Sequence, residues 1–189
     1  MDSTKQWYVL YVPSGKEREL SGRVEQLGGI ETLVPVESRL IRRRGVWRQQ
    51  DYTLFAGYIF VRMAYSWGIY YQINQIDSHI RILGGGHDPT VVPLQEMARV
   101  TDLSQLVTEP SVVRFDDDGE YEVLSGALKE LRNNIIKIKR RQKRAVVRIP
   151  FSWGAKDIAL SFVEPNDQTL CKAGSDASSP AGSAVIRPA

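Results

Sequence analysis

The strongest chemical signal in this chain is a block of cations in its C-terminal half. Residues 123–163 carry ten Lys or Arg and two acidic residues, a net charge of +8, whereas residues 108–122 carry −5. The whole 189-residue chain carries only +3, because these two segments largely cancel. A compact cationic segment is typical of a surface that binds a polyanion. The residues that we assign to nucleic-acid binding in this block are Lys129, Arg132, Lys137, Lys139, Arg140, Arg141, Lys143, Arg144 and Arg148.

The sequence around this block predicts a basic β-hairpin. Period-two alternation places Lys137 and Lys139 on its outer face, with Ile136 and Ile138 inward. Arginine adds bidentate geometry for phosphate groups. Few aromatic residues are interleaved, so the pattern favours the backbone of a folded RNA over stacked single strands. The competing interpretation is a ribosomal-type or merely solvated basic face.

A second group of cations lies in residues 37–53, which we interpret as a hairpin or an extended loop. Arg42, Arg43 and Arg44 are adjacent, with no acidic residue between them. This is more positive charge than solubility requires, and it predicts contact with nucleic acid. A solvated or flexible loop is the alternative.

Aromatic residues are concentrated in two predicted strands. Neighbours on a strand point to opposite faces, so Trp7, Tyr8, Phe55 and Tyr58 cannot all face one small core. The remainder predicts an exposed apolar patch, which is typical of an interaction surface, with core packing as the alternative. We expect Tyr8, Phe55 and Tyr58 at its centre. The full predicted set is Trp7, Tyr8, Tyr11, Phe55, Tyr58, Phe60, Ile80 and Leu83.

Residues suited to catalysis or metal binding are scarce. Cys171 is the only cysteine, which excludes an internal disulfide or a multi-cysteine zinc site, and His79 and His87 are the only histidines. We therefore predict no catalytic residue, metal or cofactor, and no enzymatic activity. There is no apolar run of about 18 residues and no apolar signal core, which predicts a cytoplasmic protein without a membrane partner.

The elements that position these residues predict an α+β fold. Residues 7–12 are rich in aromatic and β-branched residues, as in a strand. Ser14 and Glu17 form a capping-box pattern for a following helix. Residues 54–63 are apolar at nearly every position, which is typical of a central strand. Further helices are expected at 66–76 and after Pro93.

The chain becomes all-β after residue 111, with short strands and tight turns that predict a small barrel. The predicted strands are 112–115, 120–124, 134–139, 144–149 and 157–162. The predicted domains are 1–107, a linker at 108–113, a barrel at 114–164 and a disordered tail at 165–189.

Three stretches resemble the NusG family of transcription elongation factors. Trp7-Tyr8-Val9, followed by Ser14-Gly15-Lys16-Glu17, resembles its opening strand and first helix. Leu54-Phe55-Ala56-Gly57-Tyr58-Ile59-Phe60-Val61 resembles its phenylalanine–proline–glycine–tyrosine core strand, with Ala56 in place of proline. Residues 123–135 resemble the KOW motif, with Gly126 at the central glycine. By their order and spacing the chain is identified as a member of this family, and its very basic KOW region looks most like the specialised LoaP-type antiterminators.

The resemblance implies an N-terminal NGN-type antiparallel sheet flanked by helices, and a five-stranded, SH3-like KOW barrel. It also implies that the N-terminal domain rides on RNA polymerase, with the aromatic patch receiving the tip of the clamp helices. The barrel is expected to bind nascent RNA, with a structured leader as the expected form. Phe151 and Trp153 are candidates for binding a protein partner, with closure of one end of the barrel as the alternative.

These implications lead to one main expectation and two rivals. The main expectation is a monomeric antiterminator of particular operons, nucleoid-associated with transcribing polymerase in the cytoplasm. The first rival is a general NusG-like elongation factor whose KOW domain bridges to a ribosomal or termination protein. The second is a ribosome-associated RNA-binding protein.

Overall fold

The structure, a computed structural model, describes residues 5–43 and 46–165. Side chains are described throughout these ranges except at positions 40, 42, 43 and 46–49. Arg44 and residues 166–189 of the predicted tail lie outside the described residues. Within the described ranges, no helix combines the length and apolar character needed to cross a membrane.

The N-terminal part is a four-stranded antiparallel sheet with helices and a separate hairpin. Its elements are β1 (Gln6–Tyr11), α1 (Glu17–Glu25), β2 (Glu31–Leu33), β3 (Val36–Arg43), β4 (Val46–Thr53), β5 (Tyr58–Met63), α2 (Trp67–Ile76), β6 (Arg81–Ile82) and α3 (Leu94–Leu106). The strand order β2-β5-β1-β6 makes β5 an interior strand, as its apolar run predicts. Among the described residues β3 and β4 pair only with each other, which confirms the hairpin interpretation of residues 37–53.

The start of β5 differs from the prediction. Leu54 to Gly57 form a turn, and the strand begins only at Tyr58. Gly57 has φ 81°, a left-handed conformation that favours glycine. The buried Glu17 carboxylate accepts hydrogen bonds from the backbone N–H groups of Gly57 (2.6 Å) and Gly15 (2.9 Å). The predicted cap by Ser14 is wrong, because Lys16 occupies the N-cap without a side-chain bond.

The sheet has two differently covered faces. On one face, which we call the helix face, Leu10 and Ile59 pack with Leu20 of α1 and Ile73 of α2. On the other face, which we call the barrel face, Phe60 packs in a cluster that includes α3 and residues of the C-terminal part. Strand alternation produces this division, because successive side chains leave a strand on opposite sides.

The C-terminal part is a curled five-stranded sheet, which confirms the predicted barrel class. Its elements are β7 (Ser111–Phe115), β8 (Tyr121–Ser125), α4 (Ala127–Glu130), β9 (Ile135–Lys139), β10 (Arg144–Ile149) and β11 (Lys156–Val163). The strand order is β8-β7-β11-β10-β9. β7 pairs with β11 only at Phe162 and Val163, so residues 156–161 of β11 have β10 as their one strand partner within the described ranges.

Two local features shape this barrel. Gly126 has φ 85°, and a Cβ there would lie 2.6 Å from Ser111 Cα, so the KOW-like position requires glycine. The pairing of β9 with β10 contains a register shift: Val146 pairs with Lys137, whereas Val147 pairs with Ile135. Ile136 is the extra residue of this bulge and is 48% exposed, so its predicted inward position is wrong.

Candidate functional sites

The predicted polymerase-binding residues divide between the two faces of the sheet. Tyr8 and Ile80 are buried on the helix face, where burial raises the pKa of the Tyr8 phenol. The prediction that Tyr8 shares one patch with Phe55 and Tyr58 is therefore wrong. The residues on the barrel face are Trp7, Tyr11, Phe55, Tyr58, Phe60 and Leu83.

The barrel covers the aromatic residues of the barrel face. The rings of Phe55 and Phe151 lie 5.9 Å apart, and those of Tyr58 and Trp153 lie 5.8 Å apart. Phe151 also stacks on Trp153, with centroids 4.8 Å apart. Phe55 is only 2% exposed. The two apolar surfaces that the sequence assigns to separate partners thus pack against each other, and the expected exposed patch is covered.

Polar contacts surround this aromatic contact. Lys156 Nζ donates to the Tyr58 hydroxyl (2.8 Å) and lies 4.9 Å from the ring centroids of Tyr58 and Trp153. The Glu96 carboxylate of α3 accepts from the backbone N–H (2.7 Å) and hydroxyl (3.2 Å) of Ser152. Trp153 Nε1 is buried without a hydrogen-bond partner among the described residues, which costs about 1–3 kcal/mol. The contact therefore combines favourable packing with an uncompensated polar group.

The β3–β4 hairpin makes a second contact between the domains. One oxygen of the buried Glu37 carboxylate accepts from the backbone N–H (2.7 Å) and hydroxyl (2.6 Å) of Ser161. Arg39 pairs with Glu37 and donates to the Ala159 carbonyl (2.8 Å). These β11 groups lie in residues 156–161, where β7 does not pair. Glu37 and Arg39 therefore satisfy backbone groups that would otherwise form an open sheet edge.

Five predicted nucleic-acid-binding residues of the barrel are exposed and have no ion-pair partner in the described part of the chain. They are Lys129, Arg132, Lys137, Lys139 and Arg141. Lys137 and Lys139 lie two residues apart on β9, so they occupy the same strand face. This arrangement leaves their ammonium groups available to an incoming anion.

Three other predicted residues form ion pairs within the barrel. Lys143 Nζ (2.5 Å) and Arg140 Nη2 (3.1 Å) pair with Glu164, and their hydrogen bonds, with a smaller contribution from their charges, lower the pKa of that carboxyl group. Arg148 donates two hydrogen bonds to Asp157 (2.7 and 2.8 Å), which lowers the Asp157 pKa. Exposed pairs of this kind contribute about 0–1 kcal/mol, so a phosphate can replace the carboxylate at little cost.

The arginines of the hairpin are only partly described. The backbone places Arg42 and Arg43 in β3 and Arg48 in β4. The hairpin reaches the barrel through Tyr52, whose ring centroid lies 4.5 Å from Arg39 and 5.9 Å from Arg144. The two predicted basic regions are therefore carried by elements that contact each other.

The family model described as "Transcription termination factor nusG" matches residues 5–101. The chain belongs to the NusG family. A solved structure, "Domain interaction in Thermotoga maritima NusG", is similar over 83% of this chain and 93% of that chain, at 16% identity and a TM-score of 0.46. No curated protein matches the sequence.

Sequence reasoning missed the residues that join the two domains of this NusG-family chain. Glu37, Tyr52 and Glu96 belong to no predicted site, yet each contacts the barrel. One available signal was Glu37 itself, an isolated acid beside an arginine-rich hairpin. Within the described ranges, no three His, Cys, Asp or Glu side chains form a potential metal site.

Proposed function

We propose that this chain is a specialised NusG-family elongation regulator, of the LoaP type, that promotes antitermination at particular operons. Its N-terminal domain binds the clamp region of RNA polymerase, and its basic barrel binds a structured nascent RNA. The carrying observation is the pair Lys137 and Lys139, exposed on one strand face without ion-pair partners among the described residues. The factor acts as a cytoplasmic monomer on transcribing polymerase.

The aromatic residues of the barrel face support the polymerase half of this proposal. Phe55 and Tyr58 form an apolar surface that packs against a second domain instead of the N-terminal core alone. Each such ring pair contributes about 0.5–1.5 kcal/mol beyond its buried area. The buried Trp153 N–H, which has no partner in the part of the chain that the structure describes, opposes this gain. Because the favourable ring contacts are partly offset by this polar cost, the barrel can be released from the N-terminal domain. Polymerase then occupies the same aromatic surface.

Binding at two sites makes modest individual contacts sufficient. RNA leaving the polymerase is close to the factor, so the second contact forms at a high effective concentration. Phosphate contacts by lysine supply affinity that depends on salt and little on sequence. The shape of a folded leader then selects the operons.

The decisive experiment compares two double variants with the same change in net charge. Lys137→Glu/Lys139→Glu alters the exposed β9 face, whereas Lys16→Glu/Arg23→Glu alters exposed cations of the N-terminal domain. We expect the first variant to lose terminator readthrough in vitro. We also expect its RNA-binding salt slope to fall by about 1 per lost phosphate contact. Equal effects in both variants, or intact RNA binding in the first, would contradict the proposal.

A general elongation factor is the second candidate, and the stacked pair Phe151 and Trp153 favours it. Once the domains separate, these rings form an apolar surface on the barrel that suits a ribosomal or termination protein. Genome-wide polymerase occupancy after depletion distinguishes the two functions. Changes confined to a few operons support the specialised factor, whereas changes at nearly all genes support the general one.

A further inference from the structure

The contact between Glu37 and Ser161 has the chemistry of an anion site on the barrel. Two donors of one residue, the backbone N–H and the hydroxyl of Ser161, converge on the same carboxylate oxygen at 2.7 and 2.6 Å. Arg144 lies directly opposite Ser161 in the β10–β11 pairing. Convergent N–H and O–H donors bind carboxylates and phosphates alike, and an arginine at a neighbouring strand position can add a charged donor for an incoming phosphate. The barrel thus supplies the two Ser161 donors, whereas the hairpin supplies both the carboxylate and Arg39, whose guanidinium group pairs with that carboxylate.

We call the Ser161 donors together with Arg144 the cradle. It continues the row of cations on the outer face of the barrel. In the strand register, Arg144 lies opposite Ser161 of β11 on one side and opposite Lys139 of β9 on the other. Adjacent strands are about 5 Å apart, so Lys139, Arg144 and Ser161 form a row about 10 Å long. The side chains of β11 that alternate with Ser161 are buried, as at Leu160 and Phe162, which places Ser161 on the outer face. One nucleic-acid backbone can therefore cross the lysines and the cradle together.

We propose that Ser161 and Arg144 form a phosphate site of the RNA-binding face, and that Glu37 fills this site in the docked protein. The inference rests on the proposed function, because it assigns a further contact to the same RNA. The Glu37 carboxylate stands where an RNA phosphate binds, so the hairpin and the RNA compete for the barrel. RNA binding then weakens the domain contact, and by reciprocity separated domains bind RNA more tightly.

The competition couples the two halves of the proposed function. Glu37 is on the hairpin, while Phe55 and Tyr58 are covered by the same barrel. RNA that displaces Glu37 removes one of the contacts that hold the barrel over these rings. The polymerase-binding surface thus becomes more accessible when the correct RNA is bound.

The first experiment measures binding of a labelled RNA stem-loop to the full chain by fluorescence anisotropy at several salt concentrations. Glu37→Gln keeps the side-chain shape and removes the competing charge, so we expect RNA binding to be several-fold tighter. One additional phosphate contact steepens the salt slope by about 0.7–0.9. Glu31→Gln, on an exposed acid of β2, makes the same charge change and is expected to leave both quantities unchanged. Equal tightening in both variants overturns the proposal.

A third variant separates a phosphate site from simple domain release. In the Glu37→Gln background, Ser161→Ala removes one cradle donor and is expected to reverse the gain in affinity, whereas Ser125→Ala, at an exposed serine of β8, is not. If Ser161→Ala has no effect there, Glu37 only holds the domains together and the proposal is wrong. If Lys137→Glu/Lys139→Glu also leaves RNA binding intact, the proposed function itself fails.

Hydrogen exchange on the wild-type protein provides a test that does not depend on folding of a variant. The Ser152 N–H is bonded to Glu96 across the domain contact, and the Ser161 N–H is bonded to Glu37. With RNA, we expect faster exchange at Ser152 and continued protection at Ser161, because a phosphate replaces the carboxylate. Loss of protection at both amides, or unchanged protection at Ser152, overturns the proposal.

Discussion

Each face of the N-terminal sheet buries an aromatic residue, but the elements that cover the two faces differ. Tyr8 on the helix face is 5% exposed and Phe55 on the barrel face is 2% exposed. Tyr8 lies in the cluster formed with α1 and α2, elements of its own domain, whereas Phe55 also contacts Phe151 of the barrel. Low exposure therefore does not distinguish a residue in the core of one domain from a residue that a second domain covers. What distinguishes them is whether the covering element can leave without unfolding the domain.

The chemistry of the two covers supports this distinction. The helix face is closed by apolar side chains such as Leu20 and Ile73. The contact between the domains adds the charged groups of Glu37, Glu96 and Lys156, and it leaves the Trp153 indole N–H without a partner among the described residues. Interfaces between domains that separate are typically more polar than permanent ones.

The largest expected effect is on the helix face. Leu20→Ala removes a side chain that is 1% exposed beneath α1, and we expect the free energy of unfolding to fall by about 2–5 kcal/mol. Urea denaturation measures this change. The exposed Leu94→Ala, in the first turn of α3, is the control and should change stability little. Similar losses in both variants would contradict the assignment of a permanent core to the helix face.

The next effect should change binding more than stability. Phe151→Ala removes the ring contacts with Phe55 and Trp153, so we expect the domains to separate and polymerase to bind several-fold more tightly. Phe115→Ala alters a half-buried barrel ring that contacts Phe162, and is the matched control. A pulldown with RNA polymerase measures both. No gain for Phe151→Ala, or an equal gain for the control, would show that the barrel does not block polymerase.

A smaller effect of opposite sign is expected at Trp153. Trp153→Phe keeps an aromatic ring against Phe151 and Tyr58 and removes the unpaired N–H. We expect domain docking to be unchanged or stronger by up to about 1 kcal/mol, because a buried donor without a partner is lost. Hydrogen exchange at the Ser152 amide reports docking. Faster exchange in this variant would mean that the indole N–H stabilises the contact.

The smallest effects are in pH dependence, and they differ in sign between regions. Hydrogen bonds from Lys143 and Arg140 lower the pKa of Glu164, so its contribution to barrel stability is present above its ordinary pKa and is lost as pH falls through the lowered value. Burial raises the pKa of Tyr8 on the helix face, so its contribution is lost as pH rises through the raised value. Thermal midpoints across pH measure both, with Glu164→Gln expected to flatten the acid side only.

Much of the local structure could be predicted from residue pattern. The apolar run in β5 predicted an interior strand, because a strand covered on both faces has no solvent-exposed face that requires polar side chains. Apolar spacing predicted the helix at 66–76, and Pro93 as a start signal predicted the next helix; the structure places them at Trp67–Ile76 and Leu94–Leu106. The prediction of local geometry failed where one extra residue changes the register. Period-two alternation assumes a regular strand, so it does not predict the bulge at Ile136.

The sequence by itself determined the family, the α+β and barrel elements, and the concentration of positive charge in residues 123–163. Only the tertiary structure decided that Phe55 and Tyr58 pack against Phe151 and Trp153, and that Glu37 binds Ser161. The physical reason is range. Alternation and capping depend on neighbours a few residues apart, whereas Glu37 and Ser161 are 124 residues apart along the chain. Their contact exists only because two independently patterned domains place their surfaces together.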